Sequence, residues 1–215
     1  MATNSRLGRT PVPHFTFEHE YAPRIVCGVD EAGCGPWAGP VVAAATLFTK
    51  AHHAPDGLND SKKLTHAKRD ALFDAIHTRA AATGIGIATV EEIDHLNIWG
   101  ATQLAMRRAV EALAIQPHVA LVDGKRVPKP FPCDVRTIIG GDGISLSIAA
   151  ASILAKVTRD RMMLEYATQY PAYGFERHAG YGTALHQQAI AEHGVCPIHR
   201  RSFKPIRTYL EREAA

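Results

Sequence analysis

A chain of 215 residues, 46% hydrophobic and 21% charged, has apolar mass for a sizeable core and is most simply one domain with an appended segment. Its formal net charge of +3, with 12 histidines as latent positive charge, permits a phosphate or nucleic-acid partner without demanding one. Four scattered cysteines with no C-x-x-C pair argue against a zinc cluster or a disulfide scaffold and fit a reducing cytoplasm. No apolar run approaches the ~20 residues of a membrane span, so no membrane partner is expected.

Residues 1–13 are polar and carry prolines without the apolar stretch of a signal peptide, and residues 1–23 are expected as a flexible tail. Two β-branched apolar runs follow, at 25–29 and 41–48. The turn between them holds Gly33, Gly35, Pro36, Gly39 and Pro40, which predicts two paired strands with a special-backbone connection. The first run ends in Asp30 and Glu31 with no Lys or Arg beside them. Acids followed by glycines that let backbone N–H groups approach a ligand read as a site, ahead of the alternative of a solvated turn with acids at its lip.

Residues 49–57 read as loop, and a helix follows with Ser61 or Thr65 as its cap and Leu72, Phe73 and Ile76 on one face. Lys62 and Lys63 lie near its start, where the helix dipole disfavours cations unless an anion sits opposite; phosphate contact and simple exposure both account for them. Residues 84–90 alternate as a third strand. Residues 91–113 read as helical, with Met106, Ala109, Val110 and Leu113 on one stripe and Ile93, Leu96 and Leu104 on a rotated one, which predicts a bend or two helices at Gly100.

Residues 118–124 form a continuous apolar run, read as a strand buried on both faces that ends in Asp123 and Gly124. A carboxylate at the C-terminal end of such a strand lies where open α/β sheets hold ligands, although Asp-Gly is also a common strand exit. Residues 127–132 are Pro-rich loop, and 135–139 a further strand closed by a glycine cluster containing Asp142. From 145 to 169 runs a helix whose first half is apolar or small all round, with Asp142 before it either as a dipole partner or as one more acid at the same edge. Residues 170–215 differ in character, with Tyr181 between Gly180 and Gly182, a helix near 184–193 and a basic run from His199 to Arg207. Cations interleaved with aromatics suit a nucleic-acid backbone, as they suit a solvated face.

Asp30, Glu31, Asp123 and Asp142 each end a strand or precede the buried helix, so one sheet edge can gather all four. Four carboxylates without an internal cation repel, and hard divalent ions, Mg²⁺ or Mn²⁺ rather than Zn²⁺, resolve that repulsion. A pair of such ions suits in-line phosphodiester cleavage. Adjacent Asp30 and Glu31 point to opposite faces of a regular strand, so their joint service requires a bend at Glu31 or a carbonyl ligand.

Residues 29–41, 59–64, 122–124, 141–142, 147–156, 180–183 and 199–203 resemble, in order, the motifs of bacterial type 2 ribonuclease H, ribonuclease HII. The resemblance implies a ribonuclease H-like α/β fold, a mixed five-stranded sheet flanked by helices, with the catalytic domain over 24–169 and a C-terminal helical substrate-binding segment over 170–215. It implies a monomeric, cytoplasmic enzyme that cuts RNA in RNA–DNA hybrids and on the 5′ side of ribonucleotides embedded in duplex DNA. Its metal-binding acids fall on Asp30, Glu31, Asp123 and Asp142, and its deoxyribose-stacking tyrosine on Tyr181. Gly33, Cys34 and Gly35 fall on the turn that contacts the ribose 2′-hydroxyl, where the family commonly has Gly-Arg-Gly. Lys62, Arg200 and Arg201 are expected at phosphates.

Three rival readings stand beside this one: another nuclease or transposase of the same superfold, a non-catalytic nucleic-acid binding module, and a zinc hydrolase using His178, His186, His193 and His199. The histidine spacings of 8, 7 and 6 match no H-E-x-x-H helix.

Overall fold

The computed structural model describes residues 12–126 and 129–214. Strand β1 (Val26–Ala32) pairs antiparallel with β2 (Val41–Leu47), which pairs antiparallel with β3 (Ala82–Ala88). On the other side of β1, β4 (Val119–Asp123) runs parallel to it and β5 (Asp134–Ile138) parallel to β4. The order β3-β2-β1-β4-β5 makes the mixed five-stranded α/β sheet expected from the sequence, with β1 at its centre.

Short helix α1 (Thr16–His19) precedes the sheet, α2 (His66–Arg79) follows β2, and α3 (Val90–Glu111) follows β3. Strand alternation sends Cys27, Val29, Val41, Ala43 and Ala45 to one face, where α3 covers them with Ala101, Ala105, Met106 and Ala109. The opposite face is covered by α4 (Leu146–Gln169), with α2 packed against it. A side chain at Gly28 would place its Cβ 2.2 Å from the Ser147 carbonyl carbon, so the small residues that open α4 bring its backbone directly onto the central strand. Ser145 caps α4 through the N–H of Ile148, and Ile148, Ile153 and Leu154 are fully buried, each worth roughly 1.5–3 kcal/mol in apolar transfer.

Thr65, not Ser61, caps α2, because residues Ser61–Lys63 form a separate 3₁₀ turn capped by Asp60. The break in α3 falls at Asn97 (φ 59°, ψ 170°) rather than at Gly100. The Asn97 side chain accepts the N–H groups of Trp99 and Gly100, so it restarts the helix as an internal cap.

Of the stretch expected as a tail, residues 1–11 lie outside the described residues, while the rest departs from that expectation. Phe15 is buried, and the Glu18 carboxylate accepts from Ser145 Oγ at 2.8 Å and from the Ser147 N–H at 3.0 Å. A buried acid on the first turn of α4 satisfies orphan helix donors, and this docks α1 against the sheet's second layer.

After α4 come α5 (Phe175–His178), α6 (Ala184–His193) and α7 (Lys204–Glu213). Their core joins Phe175, Ile190 and Ile206 to Ala38 and Val90 of the sheet domain. Backbone bonds sew the two parts together: Trp37 N–H donates to the Gly180 carbonyl, Gly39 N–H to that of Ile198, and Arg200 N–H to that of Trp37. No described helix is long and apolar enough to cross a membrane.

Candidate active site

The four acids converge where β1 and β4 end. Val29 pairs with Val122, so Asp30 and Asp123 are the next residues out on neighbouring parallel strands. Asp30 is 4% exposed and accepts the Glu31 N–H at 2.8 Å, and Ser152 of α4, whose hydroxyl lies 3.0 Å from that of Ser61, helps hold its pKa down against burial. Glu31 lies on the opposite face, 3.6 Å from Cys34 Sγ, in a cavity of about 360 Å³ that it shares with Thr102, Met106 and Asp123. Of the two routes to their joint service, the strand does not take the bend at Glu31: pairing with β2 runs unbroken through Ala32. Asp123 adjoins both acids: it follows the partner of Val29 on the neighbouring strand, as Asp30 follows Val29, and it lines the same cavity as Glu31. Asp123 Oδ1 accepts the Gly141 N–H at 2.7 Å, and the turn so held carries Asp142.

Burial first, then Glu31 and Asp123, push the Asp30 carboxyl well above the usual carboxylate range. Glu31 is raised by burial and Asp123, and Asp142 by burial, Asp123 and Asp60. Lys62 Nζ lies 3.9 Å from Asp142, on a largely exposed side chain. Burial acts against its charge, yet Asp60, Asp142, Asp30 and Asp123 together raise its pKa. Among the described residues no three His, Cys, Asp or Glu side chains close into a ready chelate. The donors are all oxygens, their charge is poorly compensated, and each is held at one rim. That chemistry fits a hard divalent cation.

The turn after β1 is braced from below by two arginines. Arg200 is fully buried and donates to the carbonyls of Gly33 (2.6 Å), Cys34 (3.2 Å), Gly39 (2.9 Å) and Pro40 (3.2 Å). It therefore shapes the turn and presents nothing to a phosphate, contrary to the expectation for it; burial and Arg159 bring its guanidinium down to about 9. Arg159 donates to the carbonyls of Pro40, Ala38 and Ala179. Gly33 has φ +99°, and a Cβ there would stand 2.2 Å from Arg159 Nε, so both conformation and space require glycine. A Cβ on Gly35 would lie 3.5 Å from Tyr181 Cε1. The glycine turn and the Tyr181 ring, with Gly35 and Tyr181 146 residues apart in sequence, thus meet at the same rim, with Tyr181 49% exposed. Arg201 is exposed and its N–H is held by Asp94. Cys34 is raised to about 12 by burial and Glu31, which keeps it a thiol.

Asp60, Ser152 and Arg159 belong to this site although none was a sequence candidate. Asp60 and Ser152 lie inside the matched stretches 59–64 and 147–156, where their neighbours drew the attention. Nothing in the sequence separates Arg159 from the exposed cations of α4.

The chain matches the ribonuclease HII family over residues 27–206. It is 56% identical over 201 residues to ribonuclease HII of Parvibaculum lavamentivorans, covering 93% of this chain and 74% of that one. It is 51% identical over 210 residues to ribonuclease HII of Burkholderia vietnamiensis, covering 98% and 96%. Among solved structures it resembles ribonuclease H2 of Pyrococcus horikoshii (TM-score 0.73, 27% identity, 87% and 98% covered). The fold is shared with Bst-RNase HIII in complex with Mn²⁺ (TM-score 0.66, 19% identity, 90% and 71% covered). A converged acidic rim on a mixed five-stranded sheet and a family match over most of its length agree: the chain belongs to the ribonuclease HII family, and so is a metal-dependent endonuclease.

Proposed function

We propose that the chain hydrolyses the RNA strand of RNA–DNA hybrids and cuts on the 5′ side of single ribonucleotides embedded in duplex DNA, leaving 3′-hydroxyl and 5′-phosphate ends. The observation that carries this reading is the meeting of the acidic rim with the Gly33–Cys34–Gly35 turn and the exposed Tyr181 ring. Asp30, Glu31, Asp123 and Asp142 would hold two divalent cations, Mg²⁺ or Mn²⁺. Bound there, such ions supply the positive charge that activates an attacking water and steadies the departing 3′-oxygen.

The protein's own part is positioning and selection. Asp123 fixes the Asp142 turn, and the Glu31 N–H orients Asp30. With the Gly33 and Cys34 carbonyls held by Arg200, the backbone N–H groups of the Gly33–Gly35 turn would meet the 2′-hydroxyl, the one group that marks a ribonucleotide. Cys34 leaves those contacts intact while offering no cation where the family commonly has arginine. Tyr181 lays its ring against the next sugar, where an added 2′-hydroxyl crowds it. Lys62 and Arg201, both exposed, meet phosphates. The chain acts as a cytoplasmic monomer. Matched RNA–DNA, DNA–DNA and RNA–RNA duplexes, incubated with Mg²⁺ and with EDTA, test this function. Cleavage of the hybrid alone, and only with the metal, is expected; equal cleavage of DNA–DNA returns the chain to a general nuclease of the superfold.

A further inference from the structure

Three of the four histidines that spacing brought together in sequence come together in space, and the reaction uses none of them. His178 and His186 stack with ring centroids 4.5 Å apart and planes 16° from parallel, and His186 Nε2 lies 3.0 Å from His199 Nε2. All three are buried, against Tyr173 and Phe175. His193 is exposed and stands apart from their hydrogen bonds.

The backbone fixes each tautomer. Cys196 N–H donates to His199 Nδ1 at 2.9 Å, so the His199 proton is on Nε2 and is given to His186 Nε2. His186 then carries its proton on Nδ1 and donates it to the Tyr181 carbonyl at 3.0 Å. The reverse order, with His199 Nδ1 donating to the Cys196 carbonyl at 3.2 Å, would turn a bare His186 nitrogen toward the Tyr181 oxygen. Gly180 N–H donates to His178 Nδ1, so His178 donates from Nε2 to the Tyr173 carbonyl, while its own carbonyl accepts the Tyr181 N–H at 2.9 Å. The directed chain from His199 through His186 therefore ends on the Tyr181 carbonyl, which also accepts the Thr183 N–H at 2.8 Å, while the Tyr181 N–H is held by the main-chain carbonyl of His178, whose ring stacks on His186.

We propose that His186, braced by His199 and stacked on His178, is a positioning residue that sets the Tyr181 ring for the sugar beside a ribonucleotide. This rests on the stacking role proposed above for Tyr181.

A double-mutant cycle tests it, with the full chain cutting two substrates: a DNA duplex carrying one ribonucleotide, and a uniform RNA–DNA hybrid. H186L is expected to lower kcat/KM on the first relative to the second by about tenfold, the size of a lost stacking contact. In the Y181A background the same change is expected to alter that ratio less than about twofold, because the ring it positions is gone. H186N, which keeps a donor near the Nδ1 position, is expected to restore most of the ratio. An equal effect of H186L in both backgrounds, or none in the wild type, overturns the proposal while leaving the tyrosine's role standing. A Y181A ratio equal to wild type overturns the tyrosine's role itself, and the proposal with it. Should H186L fail to fold, H199N carries the cycle under the same criteria, since it removes the Nε2 donor but keeps an acceptor for Cys196.

Discussion

Asp123 Oδ1 accepts the backbone N–H of Gly141 at 2.7 Å, which ties the end of β4 to the turn that carries Asp142. One carboxylate thus shares its field with Asp30, Glu31 and Asp142 and also fixes the position of the last. Asp123→Asn is expected to lower cleavage by on the order of 10³-fold, while hybrid binding, which rests on cations at phosphates, changes little. Single-turnover cleavage beside an equilibrium binding assay checks this; near wild-type turnover would remove Asp123 from the mechanism.

The same crowding predicts a gain in stability on removing charge. Asp30 is buried beside Glu31 and Asp123, and its folded-state pKa is raised, so its ionised form costs stability at neutral pH. Asp30→Asn, measured in EDTA at pH 7, is expected to raise Tm by roughly 2–4 °C while abolishing activity. A fall in Tm would show that the hydrogen bond from the Glu31 N–H outweighs the repulsion.

Arg200 and Arg201, adjacent in sequence, are expected to fail in different ways. Arg201→Ala should reduce the log–log salt slope of hybrid binding by about one, with Tm unchanged. Arg200→Ala removes this donor from the carbonyls of Gly33, Cys34 and Gly39 and leaves that of Pro40 to Arg159 alone, an expected cost of about 2–4 kcal/mol in stability. Chemical denaturation of both variants separates the two roles.

Acid should loosen the C-terminal segment. Burial first brings both His186 and His199 to about 4, against the ordinary histidine value of 6.5. Between those values the unfolded chain takes up protons that the folded chain refuses. The stabilisation is therefore complete above about pH 6.5 and is lost as pH falls toward 4. Asp30, Glu31 and Asp142, with raised pKa values, act in the opposite sense, so the comparison is with H199N. Wild-type Tm is expected to drop by about 5 °C more than that of H199N between pH 7 and pH 5.

The acids and the sheet were legible because each carboxylate follows an apolar run whose period names it a strand, and parallel neighbours bring their ends together. The bracing of the turn was not. Arg200 reads as a surface cation in a basic run, and only the folded chain places four carbonyls from residues 33–40 around it. Asn97 broke α3 where composition pointed to Gly100, because a side-chain cap three residues earlier satisfies the restarted helix. Glu18 was hidden in a polar segment, since its value depends on meeting the first turn of α4.

Cleavage of a DNA duplex carrying one ribonucleotide, mapped at nucleotide resolution with Mg²⁺ for wild type, Tyr181→Phe and Tyr181→Ala, tests the central claim most directly. The account predicts a single cut 5′ of the ribonucleotide, most of it retained in Tyr181→Phe and lost by about tenfold or more in Tyr181→Ala, with folding intact by circular dichroism. Wild-type cleavage at deoxyribonucleotides, or a Tyr181→Ala rate equal to wild type, would contradict it.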